Sequence, residues 1–511
     1  MLTLALAAAG LTLAGSVHAA DNDLTAKVPP AGLRLIGDQL PKVLPKSYLF
    51  SGLTYGLGSC SSTLTVPSTT FQYQVQSVSI SPKTGKLQVD LVVTAVKGSI
   101  AASVNKLPVI CIGGFSCTGN VAVTKASATA TFSPTLVGGK IKLQQPTIDV
   151  QVNPGDVSLS LSSCGVLGSV ANALLNSTIV PQIKSWIVSR LVSLLQKLAL
   201  TNLPPEIEKA LASFTSYGGQ LQGFKVFGQL KSLGCATSGL SASAVLDLTV
   251  TDAATCQLPP APTPSPVTGT PSLSFSGEHL GVAASRALIT EAILAAWKSG
   301  MLCLPQSKLA SLGVPTSMFG VAGLLLGLTS VDGIDVNAPN PPQVSLVSGK
   351  DARLDITAPG FEIVISGKGP SGSTVVTVTL DAVLHAVLGL DPVDRALVIA
   401  SLASDINNVN VSATSSQGLN LSPGTVTTLL TTVVLPLVQK QVEGTQLVPH
   451  VMHNNGGVLD SYYLYLVRAQ TSASFVQLYA KLFEKPAFDS TRPDTTLEQA
   501  PAPLVAPQTR L

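Results

Sequence analysis

Residues 258–267 read Leu258-Pro259-Pro260-Ala261-Pro262-Thr263-Pro264-Ser265-Pro266-Val267 (LPPAPTPSPV), a proline-rich run near the middle of a chain of 511 residues. Proline fixes φ and lacks an amide donor, so neither a helix nor a central strand passes through this run; its polyproline II tendency makes it a semi-rigid spacer. What lies on either side says the same thing twice. Upstream, Leu33, Ile36, Leu40 and Leu44 recur at helical spacing between Pro29 and Leu44. The period then changes to two, with Phe71, Tyr73 and Val75, then Leu87, Val89, Leu91 and Val93 beyond the turn Pro82-Lys83-Thr84-Gly85. Ile148, Val150 and Val152 are separated from Val157, Leu159 and Leu161 by Asn153-Pro154-Gly155-Asp156. Such alternation broken by turns predicts antiparallel hairpins. A long helix follows over Val166 to Leu200, apolar round more than one stripe and broken near Pro181, and then strand-like patches at Phe224–Phe227 and Ala244–Val250.

Downstream the order repeats. Leu280 to Met301 reads as an opening helix, and Phe361, Ile363, Ile365 and Val376, Val378, Leu380 read as strands. Ser422-Pro423 starts a closing helix bent at Pro436, and Tyr463 to Val467 makes the last strand. The chain therefore divides into residues 21–256, a linker at 257–270, residues 271–485, and a disordered tail from 486 to 511 rich in Pro, Thr and Ala. Nothing catalytic is duplicated with the unit, so the pattern is that of a container.

Composition narrows the class. Hydrophobic residues make up 45% of the chain and charged residues 11%, against about 25% charged in an ordinary soluble domain. That leaves much apolar surface to hide, yet the longest late apolar run, Phe319 to Leu328, is too short for a membrane span and carries three glycines. Met1 to Ala20 has the apolar core and small-residue exit of a secretory signal, with cleavage near Ala19-Ala20, which predicts a secreted or periplasmic, cell-envelope protein. The net charge of +3 hides an asymmetry: +7 over residues 21–256 and −4 over 257–511. The first half is thus the end suited to transient contact with an anionic membrane surface, while the absence of any Lys/Arg block speaks against nucleic acid.

The chain has seven cysteines, which export would oxidise. Cys111 and Cys117 flank a short glycine-containing loop and Cys235 and Cys256 flank a strand-like segment, so these are the two expected bridges. No C-x-x-C and no suitably spaced histidine favours zinc instead, and no cofactor is expected. A hydrolase is disfavoured as well: the G-x-S-x-G elbow is absent, and His450-Val451-Met452-His453 lacks the acidic partner of a H-E-x-x-H site. His385 reads as a satisfied histidine within an element and not as a ligand.

Three stretches carry a family resemblance: the linker prolines; Ser274 to Leu304, with a G-x-x-x-S pattern at Gly281 to Ser285; and Pro341 to Leu346 together with Leu429 to Val442 (LLTTVVLPLVQKQV). With their order, the chain resembles the bactericidal/permeability-increasing protein and lipopolysaccharide-binding protein family of the tubular lipid-binding (TULIP) superfamily. The resemblance implies an α+β boomerang of two barrels, each a twisted antiparallel sheet wrapped on a long helix, joined by a central sheet. It implies a non-catalytic protein that holds acyl chains of a phospholipid or a lipopolysaccharide-like amphiphile in apolar pockets. The family ties a strand to its long helix by a disulfide; Cys164 stands at the start of that helix here, and no pairing is carried over to it. The lysine cluster of the antibacterial members is absent. The helices supply the candidate lining: Leu33, Ile36, Ile183, Ile187, Leu191 and Leu195 in the first half, and Leu288, Ile289, Leu429, Val433 and Leu437 in the second. Two alternatives compete with this reading: that these residues are simply core, and that the chain is a structural or adhesive β-rich envelope protein without a pocket.

Overall fold

The computed structural model describes residues 24–108, 111, 113–162, 164, 173–215, 218–221, 224–250, 258–267, 269–300, 303, 320, 323–349, 352–391, 397–414, 419, 421–431, 446–448, 452–453, 458–459 and 462–484. The expected signal, its cleavage point and the tail lie outside them. The described chain is mixed α+β and rich in strand, with three antiparallel sheets.

The middle sheet is made by both halves. The first half gives β1 (Leu24–Val28), β10 (Gly218–Leu221), β11 (Phe224–Ala236) and β12 (Gly239–Val250); the second gives β13 (Leu280–Ser285), β20 (Met452–His453), β21 (Tyr462–Thr471) and β22 (Phe475–Glu484). Their order is β10-β11-β12-β1-β13-β22-β21-β20. The two halves meet where Leu24 faces Ala284 and Lys27 faces Gly281. Outward from that pair, each side runs from the first strand of its half to the last and then back through the preceding ones.

Each central strand leads straight into a helix. After β1, Pro29 and Pro30 open α1 (Pro30–Val43), which buries Leu33, Ile36 and Leu40 on the stripe that the spacing predicts. After β13, the Ser285 hydroxyl accepts from the Leu288 amide and starts α4 (Arg286–Lys298; α2 and α3 are given below). The expected helix from Leu280 is therefore corrected: its first six residues are strand, because β1 on one side and β22 on the other pair with them. Two glycines on α1 let it lie close. A Cβ on Gly32 would stand 2.2 Å from the His279 carbonyl oxygen, and one on Gly37 would stand 2.6 Å from that of Val78.

The first half forms an eight-stranded sheet from β2 (Ser47–Phe50), β3 (Leu53–Gly56), β4 (Thr63–Val66), β5 (Thr69–Lys83), β6 (Lys86–Val104), β7 (Phe115–Val137), β8 (Lys140–Gln151) and β9 (Val157–Ser162). It is a curled sheet with free edges, since β8 and β9 pair with β7 alone and β2 pairs with β5 alone. The second half forms a six-stranded sheet from β14 (Ser330–Asn337), β15 (Gln343–Val347), β16 (Ala352–Gly369), β17 (Gly372–Leu390), β18 (Leu397–Ala413) and β19 (Gln446–Val448). A short helix, α5 (Pro423–Leu429), is capped by Ser422, as Ser422-Pro423 predicts. Val426 and Leu430 pack on Ile363, Ile365, Val376 and Val378. The last strand is β22 and not β21, a further correction: the hairpin through Ser472 returns Phe475–Glu484 along β21.

The main core is continuous across all three sheets. It joins Leu87, Val89 and Leu91 of the first half to Leu24 and Leu246 of the middle sheet, and these to Leu288, Leu354 and Leu388 of the second half. The proline-rich run is pinned along this assembly instead of bridging free space. Leu258 and Ala261 pack beside Trp297, and Val267, Leu273 and Phe275 pack beside Phe475 and Tyr479. Arg468 fixes its far end, donating to the Ser274 carbonyl at 2.7 Å, lying 3.7 Å over the Tyr479 ring and pairing with buried Glu278. Burial alone would raise the Glu278 pKa, but the Ser276 amide and Arg468 outweigh it and hold the carboxylate low.

Both expected disulfides are overturned. Cys111 is bonded to Cys60 and Cys117 to Cys164, while Cys235 carries a free thiol and Cys303 is disulfide-bonded. Register explains the pairs. Thr118 faces Ser162 across β7 and β9, which sets Cys117 beside Cys164. Asn105 bonds the Thr63 amide at 2.7 Å and the Ser59 hydroxyl reaches the Pro108 carbonyl, which brings Cys111 to Cys60. Cys235 instead docks the β5–β6 turn on the middle sheet, its carbonyl accepting from Gly85 and its thiol facing the Lys86 carbonyl at 3.1 Å. Burial pushes its thiol pKa up.

Two outcomes are expected in equilibrium unfolding. Gly32→Ala gains about 1 kcal/mol of helix propensity, but the Cβ meets a backbone carbonyl that cannot yield. The variant is therefore destabilised by about 1–3 kcal/mol, and Gly32→Ser behaves alike. Removing the Cys117–Cys164 bridge by C117S/C164S lowers stability by roughly 2–4 kcal/mol, read under non-reducing conditions.

Candidate functional site

A curled sheet with two free edges leaves a gap, and one helix fills it. α2 (Val180–Lys197) lies against β7, β8 and β9 on one flank. On its other flank the Trp186 indole donates to the Ser51 carbonyl at 3.2 Å, Trp186 meets Phe50 edge-on, and Lys197 lies 5.1 Å over the Tyr48 ring. Pro181 falls in the first turn, where its missing amide costs nothing, and the expected break near it takes the form of a π turn at Leu175–Ile179. A second π turn, Leu198–Asn202, leads into α3 (Leu203–Thr215), a helix that the sequence reading did not separate. Such turns interrupt the regular hydrogen-bond ladder, so α2 is bounded by a weak point at each end.

The two seams of α2 differ. Along β2 it is sealed by aromatic rings: Phe50 stacks on Phe71 at 4.3 Å and both are fully buried. Along β8 and β9 the cover is aliphatic and incomplete. Val150 faces Ala128, Ile148 faces Ala130 and Leu159 faces Val121, so these residues share the inward face. Yet the partners on β7 are buried, while Ile148, Val150, Val152, Leu159 and Leu161 remain partly exposed, as do Leu174, Leu175 and Val188 along the helix. The result is a stripe of inward-facing aliphatic side chains still open to water. An apolar chain laid on it would remove that surface from water with no polar group to desolvate.

The residues expected from sequence to line a pocket have a different status. Leu33, Ile36, Ile183, Ile187, Leu191, Leu195, Leu288 and Ile289 all lie in the main core, none more than 2% exposed. Leu429 ends α5 and its side chain lies outside the described set, as do Val433 and Leu437 altogether. The strand residues of the open stripe were quoted for their alternation and not as lining; periodicity gives their direction, whereas their exposure depends on β8 and β9 having no outer neighbour.

Charged groups cluster elsewhere. On the second-half sheet, His385 of β17 donates from Nε2 to Asp405 of β18 at 3.0 Å, and its Nδ1 lies 2.8 Å from Asp355 of β16, which also pairs with Arg353 at 2.8 Å. His385 is thus a satisfied strand histidine tying three strands together. Among the described residues, no group of three or more His, Cys, Asp or Glu side chains is placed to hold a metal, and no helix is long and apolar enough to cross a membrane. Hydrogen bonds to Asp355 and Asp405 raise the His385 pKa. The stabilisation is therefore complete below the ordinary histidine pKa of about 6.5 and declines as pH rises through the higher folded-state value. The loss is partial, because unprotonated Nδ1 accepts from Arg353 Nη2 at 2.8 Å. A thermal-unfolding series is expected to show the difference between the parent and His385→Gln shrinking from pH 5.5 to pH 8.5.

No family model and no curated protein matches the chain. Among solved structures it is similar to the crystal structure of lipopolysaccharide binding protein, with a TM-score of 0.46 and 11% identity, covering 91% of this chain and 99% of that one. It is also similar to P47 of Clostridium botulinum E1, with a TM-score of 0.29, 10% identity and coverage of 91% and 100%. P47 from Clostridium botulinum A2 matches with a TM-score of 0.25, 10% identity and coverage of 91% and 98%.

Proposed function

We propose that this chain is a non-catalytic lipid-binding protein of the secreted or periplasmic space, a two-barrel boomerang whose barrels hold the acyl chains of a phospholipid or related amphiphile. The observation that carries the reading is the open aliphatic stripe beside α2. In the first half the chains lie on Ile148, Val150, Leu159 and Leu161, and they reach the inner face of α2, where Ile183, Ile187, Leu191 and Leu195 are buried in the core, only when that helix lifts. The π turns at both ends of α2 let it lift to admit them. Each methylene buried contributes about 0.8 kcal/mol, so eight on the stripe supply roughly 6 kcal/mol, retention in the range of tens of micromolar before any headgroup contact. We take the division into 21–256 and 271–485 as part of the same reading; the strand order of the middle sheet, to which each half contributes one side, supports it.

The test is lipid mass spectrometry on protein exported and purified without detergent. One or two lipids per chain are expected, with occupancy of the first half reduced at least tenfold in Val150→Asp and Leu161→Asp while circular dichroism is unchanged. Protein that is ligand-free and takes up no added lipid would overturn the reading in favour of a structural or adhesive role.

A further inference from the structure

The arc that α2 turns inward is not wholly apolar. Arg190 lies one turn beyond Trp186 and one turn before Leu194, both buried, and shares their face of the helix. Lys197 continues the same stripe. Arg190 is half-buried, and its Nε is cut off from solvent with no hydrogen-bond partner among the described residues. A guanidinium placed so is expensive unless something pairs with it.

The β2 side of α2 supplies no carboxylate. Residues 39–89, which include β2 to β5, contain no Asp or Glu, and neither do residues 157–205, which include β9, α2 and the turns that flank it. The same two stretches carry Lys42, Lys46, Lys83, Lys86, Lys184, Arg190 and Lys197. Two of these stand at the seam: Lys46 immediately precedes β2, and Lys197 lies over Tyr48. One turn beyond the aromatic seal at Trp186, the seam is therefore basic, with the planar two-pronged donor of Arg190 on the Trp186 face of α2, and this basic notch borders an apolar interior.

Resting on the lipid reading above, we infer that this notch takes the anionic group of the bound lipid, a phosphate or carboxylate, with Arg190 as its direct partner and Lys46 and Lys197 as flanking charges. The lipid then straddles α2, its anion at the β2 seam and its chain ends on the β8–β9 stripe. One helix diameter separates the two, about 10 Å, which a long acyl chain spans. The first half thereby selects acidic amphiphiles over neutral ones with the same chains.

The experiment offers the full chain vesicles of a neutral carrier lipid containing equal phosphatidic acid and diacylglycerol of identical chains, then re-isolates the protein and counts both by mass spectrometry. The parent is expected to favour phosphatidic acid at least tenfold. In Arg190→Met the ratio falls towards one, and in Arg190→Lys, which keeps the charge and loses the fork, it falls between. Lys140→Met, which removes a charge on the β7–β8 turn, keeps the parent ratio. Should Arg190→Met not fold, the lysine variant alone decides. Equal uptake of both lipids by the parent, or an unchanged ratio in Arg190→Lys and Arg190→Met, overturns the headgroup assignment and leaves the lipid reading standing; uptake of neither lipid overturns both. Displacement of phosphatidic acid by an equal concentration of inorganic phosphate would make the notch a free-phosphate site and also overturn the assignment.

Discussion

The backbone pairing of β1 with β13 is the constraint from which the rest of the architecture follows. It joins residues 24–27, at the start of the first half, to residues 281–284, near the start of the second. Because each strand runs directly into a helix, the pair also fixes where α1 and α4 leave the sheet. α1 of the first half then rests on the His279 carbonyl at the threshold of the second, with a glycine at the contact. The edges of the pair are covered in turn by β12 and β22, which leaves neither half with an unpaired strand in the middle of the molecule. A pairing so remote in sequence is costly in chain entropy. The continuous core, the strap and the Arg468–Glu278 contact all act on the same sheet and offset that cost.

The outer sheet of the first half is under the opposite condition. It curls but does not close, and its edges expose unpaired backbone groups unless something covers them. α2 does so unevenly. A single indole hydrogen bond and three stacked or edge-on aromatic rings seal the β2 side, whereas short aliphatic side chains line the β8–β9 side. The cover on the β8–β9 side is built from small partners: Val150 faces Ala128, and Leu161 folds over Gly119, where a Cβ would stand 2.5 Å from its Cδ2.

Much of this was legible in the sequence, for identifiable reasons. The stripe Leu33, Ile36, Leu40 predicts α1 because its burial is one-sided, and Asn153 to Asp156 predicts the turn between β8 and β9 because Asn153 bonds the Gly155 amide. Strands were legible on either side of the prolines, from Phe71 to Val93 and from Phe361 to Leu380. β1 and β13 were not: Leu280–Ser285 reads LGVAAS, a composition that suits a helix, and its extended state comes from neighbours far away in sequence. The disulfides failed for the same reason, since nearness in sequence pointed to Cys111 with Cys117 while register joined residues 47 and 51 apart. As for the lining, helical period reveals which side of α2 is apolar, but whether Leu191 meets protein or ligand depends on how far the sheet extends over it.

The two halves build matching sides of the middle sheet without sharing a chemistry. The first carries its excess of cations around α2, and Arg190 interrupts an otherwise apolar inward arc. In the second half, the stretch from Ser422 to Gln439 contains no charged residue, and Lys440 is the first. The second half places its ionic cluster, His385 with Asp355, Asp405 and Arg353, across the strands of its sheet, where the four groups are consumed by one another. Charge in the first half is thus left available beside the interior, and in the second half it is spent on holding strands together. On the lipid reading, an anion beside α2 meets a guanidinium, while α5 of the second half, which carries no charged residue, offers a bound chain nothing but dispersion and the exclusion of water.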